Sequence, residues 1–403
     1  MTVEIRGILP DESDDLIRAS ATGFGEHVSP RDVELGRSVL EPDRAVVAHD
    51  GEAFVGTANV CSFGLSVPGG SLPAAGISSV AVLPTHRRKG ILRGMMRRIL
   101  DDLREREPIS ILWASEGGIY GRYGYGMATR GAQIEIDRQH TAFRPAHAPA
   151  GSMRLLSADE AMKTLPPVYE AVAVTQPGFI YGSDAWWRYR FAAPDHRHDE
   201  FGREFFFAVH ETPTGPDGYV AYRIRHDWES DGHEMRIEEL AASNADAYAD
   251  LSRYCFDVDL VQRFKAVMRS PEEPLVHLLA DRNRLRMWVH DGLWLRLTDV
   301  RAALDARQYA MEGRLVFEVR DEFCPWNEGR YELVGGPDGA ETRPTDEDPH
   351  LTVSVEELGA AYLGGISFRS LARAGRLDAA GEALRRADAM FGWDPPPWCP
   401  FVF

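Results

Sequence analysis

The stretch Ser78–Leu103, SSVAVLPTHRRKGILRGMMRRILDDL, decides the fold class. Val80, Ala81, Val82 and Leu83 form a short apolar run ended by Pro84, the pattern of a buried strand. Ile91, Met95, Ile99 and Leu103 then recur at helical spacing, doubled by Leu92, Met96 and Leu100, as on an amphipathic helix. Between them lies Arg87-Arg88-Lys89-Gly90. Such a unit aims backbone N–H groups at one point, where a helix N-terminus carries unmatched donors and partial positive charge. Gly90 lets a ligand approach the backbone closely, and the cations attract phosphate. There is no G-x-x-x-x-G-K-[ST] and no G-x-G-x-x-G after this strand, which excludes a P-loop and a dinucleotide fingerprint.

Working outward, the first segment alternates strands and helices. A strand at Val3–Gly7 precedes Pro10-Asp11-Glu12, a helix start. Strands at Arg44–His49 and Ala53–Ser66 flank the turn Asp50-Gly51. After the phosphate unit come a strand at Ile109–Trp113, the Gly/Tyr segment, and a strand at Gly131–Ile136 that closes the unit. Residues 144–151, RPAHAPAG, read as a linker. From Arg154 the order repeats loosely, with strands at Arg203–Val209, Tyr219–Arg225 and Met235–Ala242, then a helix at Ala245–Cys255. No R-x-x-G follows the strand at Met235, so no cofactor is expected there. The last segment starts with the strand Gly292–Leu297 and is α+β. Three domains are therefore expected, 1–150, 151–288 and 289–403.

Composition narrows the classes. The 403 residues carry a formal net charge of −17, which disfavours nucleic acid and favours cationic partners. No run of eighteen apolar residues occurs, so no transmembrane helix is expected, and the charged start MTVEIRGILPDESDD reads as no secretory signal. Cys61, Cys255, Cys324 and Cys399 lie far apart without a C-x-x-C, so reduced thiols in the cytoplasm and no metal are expected.

Arg87, Gly90 and Leu92 fall on the fixed positions of [RQ]-x-x-G-x-[GA], the pyrophosphate loop of the Gcn5-related N-acetyltransferases (GNAT), which this unit resembles; Leu92 departs from the small residue usual there. Residues 114–129, ASEGGIYGRYGYGMAT, residues 291–309, DGLWLRLTDVRAALDARQY, residues 360–365, AAYLGG, and the aromatic end Phe401-Val402-Phe403 extend the resemblance. Together they resemble the Eis (enhanced intracellular survival) family. Residues 151–284 carry no specific motif.

The resemblance implies tandem GNAT-like domains, the second degenerate, followed by a sterol-carrier-like α+β domain. It also implies an acetyl-CoA-dependent N-acetyltransferase acting on primary amines of cationic acceptors such as aminoglycosides, lysine side chains or polyamine-like molecules, assembled as a homo-hexamer. The backbone of Val80, Ala81 and Val82 would meet the thioester. Arg88, Lys89, Gly90, Ile91, Leu92 and Arg93 would cradle the pyrophosphate, with Ser115 and Glu116 nearby. Tyr120 falls on the family's tyrosine in SEG-x-IYGR. A phenol with a pKa near ~10 can donate to a departing thiolate. Tyr123 and Tyr125 compete for that role. The resemblance assigns the base to the α-carboxylate of Phe403. The stiff tail WDPPPWCPFVF suits threading into a cleft. Glu26 and Glu116 are alternative bases, and Glu26 and Trp113 are expected at the amine pocket. Some family members carry an acid where this chain has Val402. A second reading is a non-catalytic carrier or regulatory protein that binds CoA or an apolar molecule.

Overall fold

The computed structural model describes residues 3–144, 147–192, 201, 204–226 and 232–403. Arg203, where a strand of the second segment is expected to begin, and Pro145 and Ala146 of the linker lie outside the described residues.

The first half opens with β1 (Glu4–Gly7), α1 (Ser13–Phe24) and α2 (Pro30–Val39). Ser29 starts α2 through a capping box with Asp32, with Pro30 in the first turn. The chain continues through β2 (Val46–His49), β3 (Phe54–Val67), β4 (Gly70–Val82), α3 (Ile91–Leu103), β5 (Ile109–Trp113), α4 (Gly117–Tyr120), β6 (Gly126–Met127) and β7 (Arg130–Asp137). The apolar stripe of α3 is buried, with Met95, Met96 and Leu100 fully enclosed against the sheet.

The second half contains β8 (Ser152–Leu156), α5 (Ala158–Ala173), β9 (Ile180–Tyr181), α6 (Asp184–Arg190), β10 (Phe206–Thr212), β11 (Gly215–Arg225), β12 (His233–Ala242), α7 (Ala245–Asp257), β13 (Val261–Arg269), α8 (Leu275–Leu278), β14 (Arg286–Asp291) and β15 (Leu293–Leu297). The strand expected from residue 203 is observed from Phe206.

The two expected boundaries do not coincide with sheet membership. The first sheet runs β1-β2-β3-β4-β5-β15-β6, with β9 on β3; the second runs β14-β7-β13-β12-β11-β10-β8. β7 therefore does not close the first unit. It lies between β13 and β14 in the second sheet. Conversely, β15 does not open the last unit but inserts between β5 and β6. The first half thus donates β7 to the second sheet, and the second half donates β9 and β15 to the first. Periodicity reports that a segment is a strand and which face is apolar, but carries no information about its partner.

The last unit comprises α9 (Val300–Asp305), β16 (Gly313–Arg320), β17 (Gly329–Gly336), β18 (Gly339–Pro344), β19 (Leu351–Ser354), α10 (Val355–Ala361), α11 (Phe368–Arg373), β20 (Asp378–Ala379) and α12 (Gly381–Phe391). Its sheet runs β18-β17-β16-β19-β20. Its core, including Phe317, Phe368 and Phe391, is continuous with that of the first sheet. Among the described residues, no helix is long and apolar enough to cross a membrane.

The C-terminal tail is built into the molecule. Trp398 packs in the core of the second half, while Cys399 and Phe401 pack in the core shared by the first sheet and the last unit. Gln176 Nε2 donates to Pro396 O at 2.9 Å and Trp398 N donates to Pro177 O at 3.2 Å. Ordering a residue costs about 1–2 kcal/mol, and burying a phenylalanine side chain returns about 1.5–3 kcal/mol. Frequent prolines reduce the ordering cost, so the tail is held and does not fray.

Candidate active site

The site begins where two parallel strands part. β4 and β5 pair from Ala74↔Ile109 to Ile77↔Leu112, and then the pairing stops. β4 runs on to Val82, past a bulge at Ser79, whose φ is 55°. Thr57 Oγ1 fixes the bulge by donating to Ser79 O at 2.9 Å. Strands that separate in this way leave backbone groups of residues 78–82 facing the opening.

The loop after β4 feeds α3 through Gly90, the N-cap residue, at φ 80°. An added Cβ there would meet nothing within 4 Å, so the space in front of the helix is open. No side chain caps this helix, and its first internal bond is Gly94 N to Gly90 O. The N–H groups of Ile91, Leu92 and Arg93 are thus outside the helical ladder and point out of its first turn. Arg87 turns inward, its Nε donating to Val82 O at 3.2 Å. Arg88 adopts φ 62° and lines the opening. A cavity of about 680 Å³ lies here, bounded by Val80–Val82, Arg88, Gly90–Arg93, Ser115, Glu116 and Tyr120. Lys89 is exposed and is the one residue of the expected cradle that does not border it. Arg122, which the sequence reading did not single out, does. Open space at Gly90, three outward N–H groups and neighbouring arginines fit the pyrophosphate of CoA.

A second cavity, of about 450 Å³, lies on the other side of the splayed strand. Phe24, Val80, Ser115 and Tyr120 border both cavities, so the two meet at Tyr120. Glu26, Trp113, Val402 and Phe403 line the second cavity. Glu26 sits in the loop after α1 and not on the helix itself. Glu116 borders only the cofactor cavity, away from the expected amine. Three further lining residues were missed by sequence reading: Asp32 from α2 and Trp186 and Tyr189 from α6. The S-P-R-D capping pattern signalled α2; nothing in the segment GSDAWWRYRF signalled that α6 would cross to the first half.

The three candidate tyrosines separate by environment. Tyr125 is fully buried and shares a hydrogen bond of 2.7 Å with Ser110 Oγ. Tyr123 packs edge-on against Phe323, ring centroids 5.0 Å apart. Tyr120 lies at the junction, and burial, reinforced by Tyr123 and Glu116, pushes its pKa up to about 12. Its hydroxyl therefore holds its proton across the neutral range.

Phe403 reaches the second cavity from the tail. Its ring lies 4.9 Å from that of Phe63 and rests over Gly76, where an added Cβ would fall 2.9 Å from Phe403 Cε2. Trp113 Nε1 donates to Phe401 O at 3.0 Å, so this residue contacts the tail as well as the cavity.

The geometry of a splayed parallel pair with a glycine-led helix finds its counterpart in known proteins. Residues 4–128 and 178–315 each match an acetyltransferase (GNAT) domain, and residues 300–400 match a sterol carrier protein domain. The chain is 37% identical to N-acetyltransferase Eis of Mycobacterium tuberculosis over 426 residues, covering all of both chains. The chain belongs to the Eis family of GNAT N-acetyltransferases. Another relative, an uncharacterized N-acetyltransferase of Streptomyces avermitilis, is 38% identical over the full length of both chains. The crystal structure of Eis1 from Mycobacterium abscessus aligns over 99% of this chain and 100% of that one, with a TM-score of 0.86 and 31% identity. As an Eis-family member the protein is an N-acetyltransferase with two GNAT domains and a sterol-carrier-like domain. GNAT acetyltransferases use acetyl-CoA, which the cavity at Gly90 fits.

Proposed function

We propose that the protein acetylates a primary amine of a cationic acceptor by direct transfer, with Tyr120 as general acid and the Phe403 carboxylate as base. The observation that carries this reading is the meeting of the two cavities at Tyr120, with the chain terminus bordering the acceptor side. Acetyl-CoA, when bound, supplies the acetyl thioester. The N–H groups of Ile91–Arg93 hold its phosphates, and the freed backbone of Val80–Val82 orients its acyl end. Tyr120 Oη keeps a proton available for the departing sulfur, because burial holds it in the phenol form.

On the acceptor side, Glu26, Asp32 and the terminal carboxylate supply negative charge, and Phe24, Trp113, Trp186 and Tyr189 supply aromatic faces. Acids and rings together favour a cation over a neutral amine. The carboxylate of Phe403 takes the proton that the ammonium sheds as the nitrogen becomes nucleophilic. Its ordinary pKa, about 3.5, makes it a modest base, so placement matters more than basicity. Aminoglycosides, lysine side chains and polyamines all fit this description. Val402 offers no charge where some family members carry an acid, so the acceptor preference is expected to differ from theirs.

The same reading places the protein in the cytoplasm as a homo-hexamer. The edge strand β14 leaves Met287, Trp288 and Val289 exposed, a surface suited to self-association. Light scattering tests the assembly. Release of CoA thiol from acetyl-CoA over a panel of amines tests the function. Amine-dependent release is expected, fastest with polycations. CoA binding without release for any amine would favour a carrier.

A further inference from the structure

A buried ion pair in the second half has no part in the mechanism above. Arg190, the last residue of α6, pairs with Glu239 of β12, and both are almost fully enclosed. Removing such a pair from water costs about as much as its attraction returns, so stability alone does not account for it. What the pair does hold is a flat cation beneath the tail. The guanidinium carbon of Arg190 lies 4.7 Å from the centre of the Phe401 ring, and 4.8 Å and 5.2 Å from those of Tyr169 and Trp187. Phe401 is gripped elsewhere through its carbonyl, which accepts from Trp113 Nε1 at 3.0 Å and from Cys399 Sγ at 3.2 Å. The Arg190 contact comes from the second half and the Trp113 bond from β5 of the first, while Cys399 holds the carbonyl from within the tail.

We infer that Arg190 is a positioning residue: with Trp113 it clamps Phe401, and so sets where the terminal carboxylate lies two residues later. The inference rests on the reading of Phe403 as base. Val402 between them is 39% exposed and gives little anchorage. Phe403 has its own ring seat against Phe63, so a shift at Phe401 acts on the carboxylate by pulling against that seat through the two intervening peptide bonds. The second half, which has no phosphate loop, then serves the reaction by holding the base through Glu239 and Arg190.

The test uses the full chain with three readouts: kcat at saturating acetyl-CoA, CoA affinity by calorimetry, and the rate at which carboxypeptidase A removes Phe403. Arg190→Lys keeps the charge against Glu239 and removes the flat face. We expect a loss of kcat of about tenfold or more, unchanged CoA affinity and faster removal of Phe403. The pair Arg190→Met with Glu239→Gln, which leaves no lone buried charge, should lose more. Wild-type kcat in a folded variant overturns the inference. So does a lowered kcat with wild-type removal of Phe403, since the effect then bypasses the tail. Should the Arg190 variants fail to fold, Trp113→Phe, which removes the N–H jaw, is read in the same way. Deleting Phe403 separates the two levels. Full turnover without it sinks the base reading, whereas lost turnover beside an unaffected Arg190→Lys sinks only the clamp.

Discussion

The two halves share a sheet plan and differ at one junction. In the first, β4 pairs in parallel with β5 up to Ile77↔Leu112 and runs five residues further. In the second, β12 pairs in parallel with β13 up to Ile237↔Ala266 and also runs five residues further. Both halves therefore have the splay. The connections into the next helix differ. Eight residues, including Arg87, Arg88, Lys89 and Gly90, link β4 to the uncapped α3. Only Ser243 and Asn244 link β12 to α7, whose N-terminus is capped by Asn244 accepting from Ala247 N at 2.8 Å. Asp246 adds negative charge in that first turn. In the second half Arg269 also reaches across, donating to Leu240 O at 2.8 Å and to Glu273 at 3.0 Å. A splay alone is therefore not a phosphate site. It needs an unfilled opening and a helix start with donors left over.

The largest expected effect lies at the junction of the first half. Tyr120→Phe should fold normally and lose turnover by about 10²-fold or more, with CoA affinity retained. Near-normal kcat would move the proton donor elsewhere. Gly90→Asp should weaken CoA by about tenfold or more, measured by calorimetry, because the left-handed backbone disfavours a side chain and the charge opposes phosphate. Gly76→Ala should crowd the Phe63 ring and, behind it, the Phe403 ring, and so cut kcat by about tenfold while CoA binds normally.

A pH profile sharpens the same point without mutation. With the Tyr120 pKa raised to about 12, its proton is present below that pH and lost only above it. kcat should therefore show no descending limb from Tyr120 between about pH 7 and pH 10. A fall there that Tyr120→Phe abolishes would contradict the raised pKa while leaving the proton with Tyr120. The smallest effect belongs to the second half: Asn244→Ala should cost about 1 kcal/mol of stability by thermal melting and leave CoA affinity unchanged.

Much of the first half was legible in the sequence, because its signals are local. A strand ended by Pro84, a basic loop and a helical stripe are read within Ser78–Leu103, and Tyr120 and the aromatic tail follow from family motifs. Three features were not legible. The exchange of β7 and β15 depends on which strand edge is free after collapse. The crossing of Trp186 and Tyr189 into the acceptor cavity depends on the packing of α6 against α2, which no spacing encodes. The seat of Phe403 against Phe63 depends on the absence of a side chain at Gly76, one glycine of 37, which leaves room for both rings and whose meaning appears only beside the tail.

On the proposed mechanism the two halves divide the labour: the first would bind the cofactor, and the second would hold the tail that supplies the base. One glycine added after Phe403 tests this division most directly. The extended chain should bind one CoA with wild-type affinity and lose turnover by about 10²-fold or more at saturating acetyl-CoA, since the carboxylate moves by about 3.5 Å. Wild-type turnover in that chain would contradict the division and pass the role of base to Glu26.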